Sequence, residues 1–310
     1  MVKSPGGLAF GMLLVSASVY GLVYPLNRLA GEAGATHFGQ AFWPTLIGGL
    51  ALALLAKLRG DVVSLRWPYL RLYLIVGATG FGLPLALITM ISPHLPTALV
   101  SLCVALAPAF TYALSLLCRL DRFSLIGLAG IVLGFAGVIV VLAPKGMGLD
   151  ESGLEGEEAL YWFLLTLVIP LLFAITNLSA ALLRPPNSSS LALGAGYLLG
   201  AAVFVLPLKI LTGQSYLPLD TPRLGYSLAL AAVLAVQILL FAELVQRYGP
   251  TFFAQFNYFV VVMAIAWGWV FFGETTAIYT WLALALMALG VLVSGRRVRA
   301  TRQATPKALS

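Results

Sequence analysis

The sequence predicts an all-α integral membrane protein of ten transmembrane helices, arranged as two five-helix repeats of inverted topology. Three observations predict it. Of the 310 residues, 61% are hydrophobic and only 9% charged, against about 25% charged in a soluble domain. One water-soluble core does not absorb that much apolar surface, so lipid must cover the rest. Ten apolar stretches each reach the roughly 20 residues a helix needs to cross the hydrocarbon core. Finally, two similar segments recur in the chain with an odd number of spans between their starts.

The spans run over 8–28, 38–57, 69–90, 95–117, 124–143, 159–182, 191–211, 225–246, 251–272 and 276–294. Their links are short, as at Lys57-Leu58-Arg59-Gly60-Asp61, Arg119-Leu120-Asp121-Arg122 and Arg184-Pro185-Pro186-Asn187. Only 144–158 and 212–224 are longer, and neither holds a soluble domain. The first apolar run follows Lys3 and lacks a small-residue cleavage site, so it reads as a retained span and not as a signal peptide. The division expected is a first repeat over 8–143, a second over 159–294 and a basic cytoplasmic tail over 295–310, whose composition predicts disorder.

Charge sets the orientation. With the N-terminus in the cytoplasm, 14 of the 18 Lys and Arg fall inside, and only Arg28, Lys145, Lys209 and Arg223 fall outside. The positive-inside rule therefore puts both termini in the cytoplasm, and the expected location is a bacterial-type cell (inner) membrane. The acidic group Asp150, Glu151, Glu155, Glu157 and Glu158 then lies in the longest outer link.

Several function classes are excluded. The net charge of +7 is carried by basic residues standing singly between apolar runs, not by the stripe a nucleic-acid surface needs. Cys103 and Cys118 lie 15 residues apart on one predicted helix, about 22 Å along its axis, too far for a disulfide. With His37 and His94 they make no zinc spacing, and no cofactor is expected. No Gly-Lys-Ser or Gly-Lys-Thr occurs, so no ATP is hydrolysed here and no ATPase subunit is evident. An intramembrane serine enzyme is the rival from another class, but no Ser stands in a Gly-x-Ser-x-Gly context and both His fall at outer ends. The partners expected are a small-molecule solute and the lipid bilayer.

The repeat is read from Pro96 through Leu142 against Pro250 through Val293. Pro96-Thr97 aligns with Pro250-Thr251, Asp121 with Glu274, and Gly137-Val138 with Gly290-Val291. Each copy is two helices joined by a tight acidic turn. Five spans per repeat is an odd number, so the second copy enters the membrane from the opposite face, as in many carriers.

Three stretches resemble the drug/metabolite transporter superfamily, in its EamA-domain branch. They are Ser18-Val19-Tyr20-Gly21-Leu22-Val23-Tyr24-Pro25-Leu26-Asn27-Arg28, Leu106-Ala107-Pro108-Ala109-Phe110, and Ala266-Trp267-Gly268-Trp269-Val270-Phe271-Phe272-Gly273-Glu274, followed by a small-residue helix. The resemblance covers residues 8–295 and implies a secondary carrier, usually an exporter of small metabolites, amino acids or drugs. Drug efflux by proton antiport is the alternative it leaves open. The chain departs from the family pattern in having Tyr20-Gly21 for Trp-Gly, Trp43-Pro44 where an Arg often begins the second helix, and Leu120-Asp121 for Gly-Glu in the first half.

Polar groups in hydrocarbon are costly unless they face a partner or water, which makes them the candidates for a solute site. On the first span Ser16, Tyr20, Tyr24 and Asn27 share one helical face around Pro25; the bland account is hydrogen bonding between helices. Its second-half counterpart carries Thr166, Phe173 and Asn177 around Pro170. Ser101, Pro108, Tyr112 and Ser115 share a face of the fourth span, and Gln255, Asn257 and Tyr258 cluster at the start of the ninth. Gln237 in the eighth span is a further solute candidate. Glu243 is the acid inside a span and the candidate for coupling, although Arg247 at i+4 suffices to explain it. Glu274 and Asp121 read as caps of the helices that follow them. Gly127, Gly130, Gly134 and Gly137 read as close packing, and Trp162, Tyr279 and Trp281 as interfacial belt residues.

Overall fold

The computed structural model describes residues 7–120, 156–186, 188–214, 221–248 and 256–274, together with short runs within 123–137 and 278–289. Its helices are α1 (Gly7–Gly21), α2 (Val23–Glu32), α3 (His37–Leu58), α4 (Trp67–Gly77), a π-turn (Ala78–Gly82) leading into α5 (Leu83–Ile91), α6 (Thr97–Val104), α7 (Ala107–Leu117), α8 (Gly156–Thr166), α9 (Val168–Leu183), α10 (Ser190–Leu211), α11 (Thr221–Tyr248) and α12 (Phe256–Phe272). Among the described residues, seven helical stretches are long and apolar enough to cross a membrane: Gly7–Glu32, His37–Leu58, Trp67–Ile91, Thr97–Leu117, Leu160–Leu183, Ser190–Leu211 and Pro222–Phe241, with Phe259–Phe272 a shorter apolar helix. These match the first four and sixth to ninth predicted spans. Most of the fifth and tenth, with Asp121, Gly127, Gly130, Gly134 and Tyr279, and the tail lie outside the described residues.

The core is apolar, as in a soluble protein, but the surface is apolar as well. Leu50, Leu54 and Leu58 on α3 and Val203, Leu206 and Ile210 on α10 stand exposed at helical spacing, an apolar surface that calls for lipid. Ser16, Asn27, Gln40, Thr45, Thr89, Ser101 and Ser227 are completely buried.

The second helices of the two halves, α3 and α10, form the central seam. Each is capped by a hydroxyl, Thr36 Oγ1 accepting from Gly39 N (3.2 Å) and Ser189 Oγ from Ala192 N (3.4 Å), which satisfies an otherwise free amide. They run antiparallel and are tied at both ends: Phe38 N donates to Gln214 Oε1 (3.0 Å) at one end and Ser189 Oγ to Asp61 Oδ2 (2.6 Å) at the other. Beside them α4 and α10 cross in parallel with backbones touching. A Cβ on Gly77 would lie 2.6 Å from both the Gly200 carbonyl carbon and the Tyr197 carbonyl oxygen. Small residues let membrane helices approach this closely, where dispersion and weak polar contacts act in place of the hydrophobic effect.

Candidate functional site

The first, fourth and sixth spans are each interrupted just upstream of a proline. Proline lacks the N–H that would bond the carbonyl four residues back, and its ring clashes there. In the first span Pro25 leaves Gly21 O without its helical donor, and the break falls at Leu22, whose N–H donates to Val19 O (3.3 Å) instead of to Ser18 O. The released Ser18 carbonyl accepts from the Trp267 indole Nε1 at 2.9 Å, so the tryptophan of the ninth span seals the break in the first. The sixth span repeats the device: Pro170 lies three residues after a break at Leu167, whose N–H is shared between Phe163 O (3.3 Å) and Leu164 O (3.2 Å). In the fourth, Ala105 and Leu106 take i–3 bonds of 3.0 Å just before Pro108. Broken helices at membrane depth are tolerated where protein or a water-filled cavity satisfies the freed groups.

Around these breaks the polar side chains fall into two sets. One is sealed. Ser16 Oγ donates to Gln237 Oε1 (3.0 Å), Thr89 Oγ1 to Asn27 Oδ1 (2.8 Å) and Ser227 Oγ to Gln40 Oε1 (3.1 Å), while Asn27 Nδ2 turns back on Val23 O (2.6 Å). Asn27 is therefore held on both its amide ends and clamps α2 to α5. A double-mutant cycle with Asn27→Ala and Thr89→Ala should return about 0.6 kcal/mol, and no more than about 1.7, measured as detergent-denaturation stability. A coupling near zero would remove the clamp.

The other set is open. Thr79 Oγ1, within the π-turn, lies 2.7 Å from Thr176 Oγ1, and Asn177 Nδ2 donates to Thr111 Oγ1 (3.3 Å). These side chains come from the third, fourth and sixth spans and are half-buried, with Asn177 exposed. Thr79, Thr111 and Thr176 escape the sequence reading because a helical threonine ordinarily bonds its own preceding turn, as Thr79 does to Ile75 O and Thr111 to Ala107 O at 2.8 and 2.7 Å.

The remaining candidates are scattered between these sets. Tyr24 is buried and Tyr20 half-buried, with its ring 5.7 Å from that of Phe256. That contact brings the first turn of α12 beside the Leu22 break. Asn257 and Tyr258 belong to that turn, but their side chains, and all of Gln255, lie outside the described residues. Ser101 is buried and bonds Ala98 O (2.9 Å), Ser115 bonds Tyr112 O (2.8 Å), and Tyr112 is half-buried on α7. Thr166 returns its hydroxyl to Trp162 O (2.8 Å), and Trp162 stacks on His94 at 3.8 Å. Glu243 pairs with Arg247 one turn on, which is the i, i+4 account of it. Cys103 and Cys118 are both free thiols, and among the described residues no three His, Cys, Asp or Glu gather as metal ligands.

Glu274 has a role beyond the cap expected of it. Gly273 adopts φ 65°, its N–H bonding Trp269 O (2.9 Å) and that of Glu274 reaching Gly268 O (3.4 Å), a left-handed helix stop that glycine adopts without steric cost. The turn folds the carboxylate back over Gly268, and Oε1 accepts from Thr97 N (3.1 Å). The helix whose N-terminus it meets is thus α6, in the other half. The same oxygen pairs with Arg28, which also holds Glu32 (2.9 Å) and lies 4.0 Å over the Phe272 ring. In the first half Leu120-Asp121 offers no glycine, and there Arg119 takes the left-handed conformation at φ 57°.

Comparison with known proteins bears on this arrangement. The family model described as the EamA-like transporter family matches twice, over residues 7–143 and 160–296. A solved structure described only as the crystal structure of a protein is similar at a TM-score of 0.62 and 16% identity, covering 94% of this chain and 98% of its own. It shares the fold. No curated protein matches.

Proposed function

The chain belongs to the EamA-like transporter family, a family of multi-pass membrane transporters, and we propose that it moves a small polar solute by alternating access between two inverted five-helix halves. The halves correspond to 8–143 and 159–294 in a ten-helix chain, with 295–310 a basic tail. In this reading the first, third, fourth, sixth, eighth and ninth spans surround the pathway, while the fifth and tenth brace the halves. The termini are cytoplasmic, the membrane is a bacterial-type inner membrane, and the direction is export of small metabolites or amino acids.

One observation carries the reading. Helices α3 and α10 hold the same place in the two halves, yet they run antiparallel and are tied end to end, Phe38 to Gln214 and Ser189 to Asp61. Equivalent helices of opposite direction are what an inverted repeat requires. The matched breaks at Leu22 and Leu167 add support, since carriers of this kind place their solute at interrupted helices near mid-membrane. The open set of Thr79, Thr111, Thr176 and Asn177, with Tyr20, Tyr24 and Tyr112, would give that solute neutral hydrogen-bonding and aromatic partners. Ser101, Gln237 and Asn27 would shape the site from behind, and Gln255, Asn257 and Tyr258 would complete it from the ninth span. Glu243, held by Arg247, is assigned a structural role, which favours transport without a proton at that residue.

The test is a growth-rescue screen. Cells expressing the chain are challenged with toxic amino-acid analogues and drugs, and export of any protected compound is then followed directly. Asn177→Ala, Tyr24→Ala and Asn257→Ala should each lower export by about tenfold, equivalent to about 1.4 kcal/mol, with membrane abundance retained. Export unchanged in all three would remove this site. Glu243→Gln should leave the dependence on a pH gradient unaltered.

A further inference from the structure

The contact between Arg28, Glu274 and the start of α6 is more than a structural tie, and we propose that it is the gate that closes the pathway at the end where the first, fourth and ninth spans meet. The inference rests on the alternating-access reading above and adds to it the residues that must part.

Arg28 sits on α2, beyond the Leu22 break, and Thr97 begins α6, ahead of the break at Ala105 and Leu106. Both are short helical pieces, separated from the rest of their spans by a proline-generated interruption. Glu274 comes from the second half and grips both pieces through one oxygen, donated to by Thr97 N and paired with Arg28. A charged latch therefore spans two segments of one half, each bounded by a break, and the turn that ends α12 in the other.

The latch is also built to release. Its side chains remain 24% and 13% exposed, so water can replace the contacts when they part. The second carboxylate oxygen, Oε2, is buried without a hydrogen-bond partner, as is the neighbouring Thr97 Oγ1. These two atoms gain nothing from the closed contact and would regain hydrogen bonds to water when it parts. The carboxylate lies in this position only because residue 268 is glycine, since a Cβ there would come within 2.5 Å of Oε2 and 3.4 Å of Thr97 Cβ.

The chain carries its own reporter. Cys103 is buried on α6, six residues below Thr97, about 9 Å along the helix. In a Cys118→Ser background it is the sole thiol. Its modification by a membrane-impermeant, positively charged methanethiosulfonate would be timed on right-side-out and inside-out vesicles, with detergent melting temperature measured in parallel. Glu274→Gln and Arg28→Met should accelerate labelling about tenfold or more from one side only, at unchanged melting temperature; Arg28→Lys should stay close to the parent. Gly268→Ala, which displaces the carboxylate without removing any charge, should behave like Glu274→Gln. Labelling unchanged in Glu274→Gln, or raised equally from both sides, would overturn the gate. Transport and labelling fail separately: one-sided labelling with no solute moved leaves the gate standing and removes the carrier reading, whereas solute movement with labelling unaltered removes the gate alone.

Discussion

Gly200→Ala should collapse the protein, although the substitution adds a single methyl group. On α10 that methyl would project onto the Tyr73 backbone, with the Tyr73 carbonyl carbon 2.5 Å away and its oxygen nearer still. A side chain in the way could swing aside, but a helix backbone cannot. Helices α4 and α10 would have to separate, and Gly77, Gly196 and Tyr73, which meet along the same line, would lose contact with it. Overpacking a well-filled interior costs typically 1–3 kcal/mol, and displacing two helices should reach or pass the top of that range. The measurements are membrane abundance and the melting temperature of purified protein. Gly11→Ala is the control: nothing lies within 4 Å of the added Cβ, and exchanging an interior helical glycine for alanine should stabilise by up to about 1 kcal/mol. The same substitution thus has opposite signs at two positions. Normal abundance and melting temperature in Gly200→Ala would refute the backbone-to-backbone crossing. Gly77→Ala combined with Gly200→Ala should be scarcely worse than either alone, because both disrupt one contact.

That crossing shows what the sequence reveals and what it conceals. The spans are legible because lipid imposes length and hydropathy, so the starts and ends of α3 and α10 fall within a residue of expectation. The partners of α10 are not legible, because Gly77 and Gly200 lie in separate halves and no local pattern links them. Helix breaks are half-legible: Pro25, Pro108 and Pro170 announce them, while the π-turn at Ala78–Gly82 goes unread even though Pro84 follows it. The candidate site divides along the same line. Asn27 is polar and centrally placed, so sequence assigns it to the cavity face, and only the fold reveals Thr89 as its acceptor's donor. Glu274 reads locally as a cap for the helix after it, yet the amide it meets belongs to Thr97, 177 positions away. Thr79 and Thr111 are silent because their hydroxyls have partners within their own spans, and Thr176 because its partner, Thr79, stands on another span. Chemistry that depends on one helix is readable, and chemistry between helices is not.

The strongest functional consequence lies with the two prolines at matching places in the two halves. Pro25→Ala with Pro170→Ala should leave the protein as abundant and at least as stable as the parent, and should reduce transport by an order of magnitude or more. A proline inside a helix costs about 3 kcal/mol relative to alanine, so retention of both places a destabilised backbone where the first and sixth spans break. Alanine at 25 supplies an N–H for Gly21 O, and the regular ladder would then draw Leu22 N back to Ser18 O, the carbonyl now held by Trp267. Healing the helix therefore competes directly with the contact that joins the first span to the ninth. The same substitution at 170 lets Leu167 N, now shared between two carbonyls, settle on one. Both halves would gain continuous helices and lose the breaks that the proposed alternating access would use as hinges between α1 and α2 and between α8 and α9. Strain held at functional positions behaves in this way, with stability rising as activity falls. If both variants instead melted earlier than the parent, the prolines would be packing elements; if transport survived their removal, the breaks would have no part in carrying the solute.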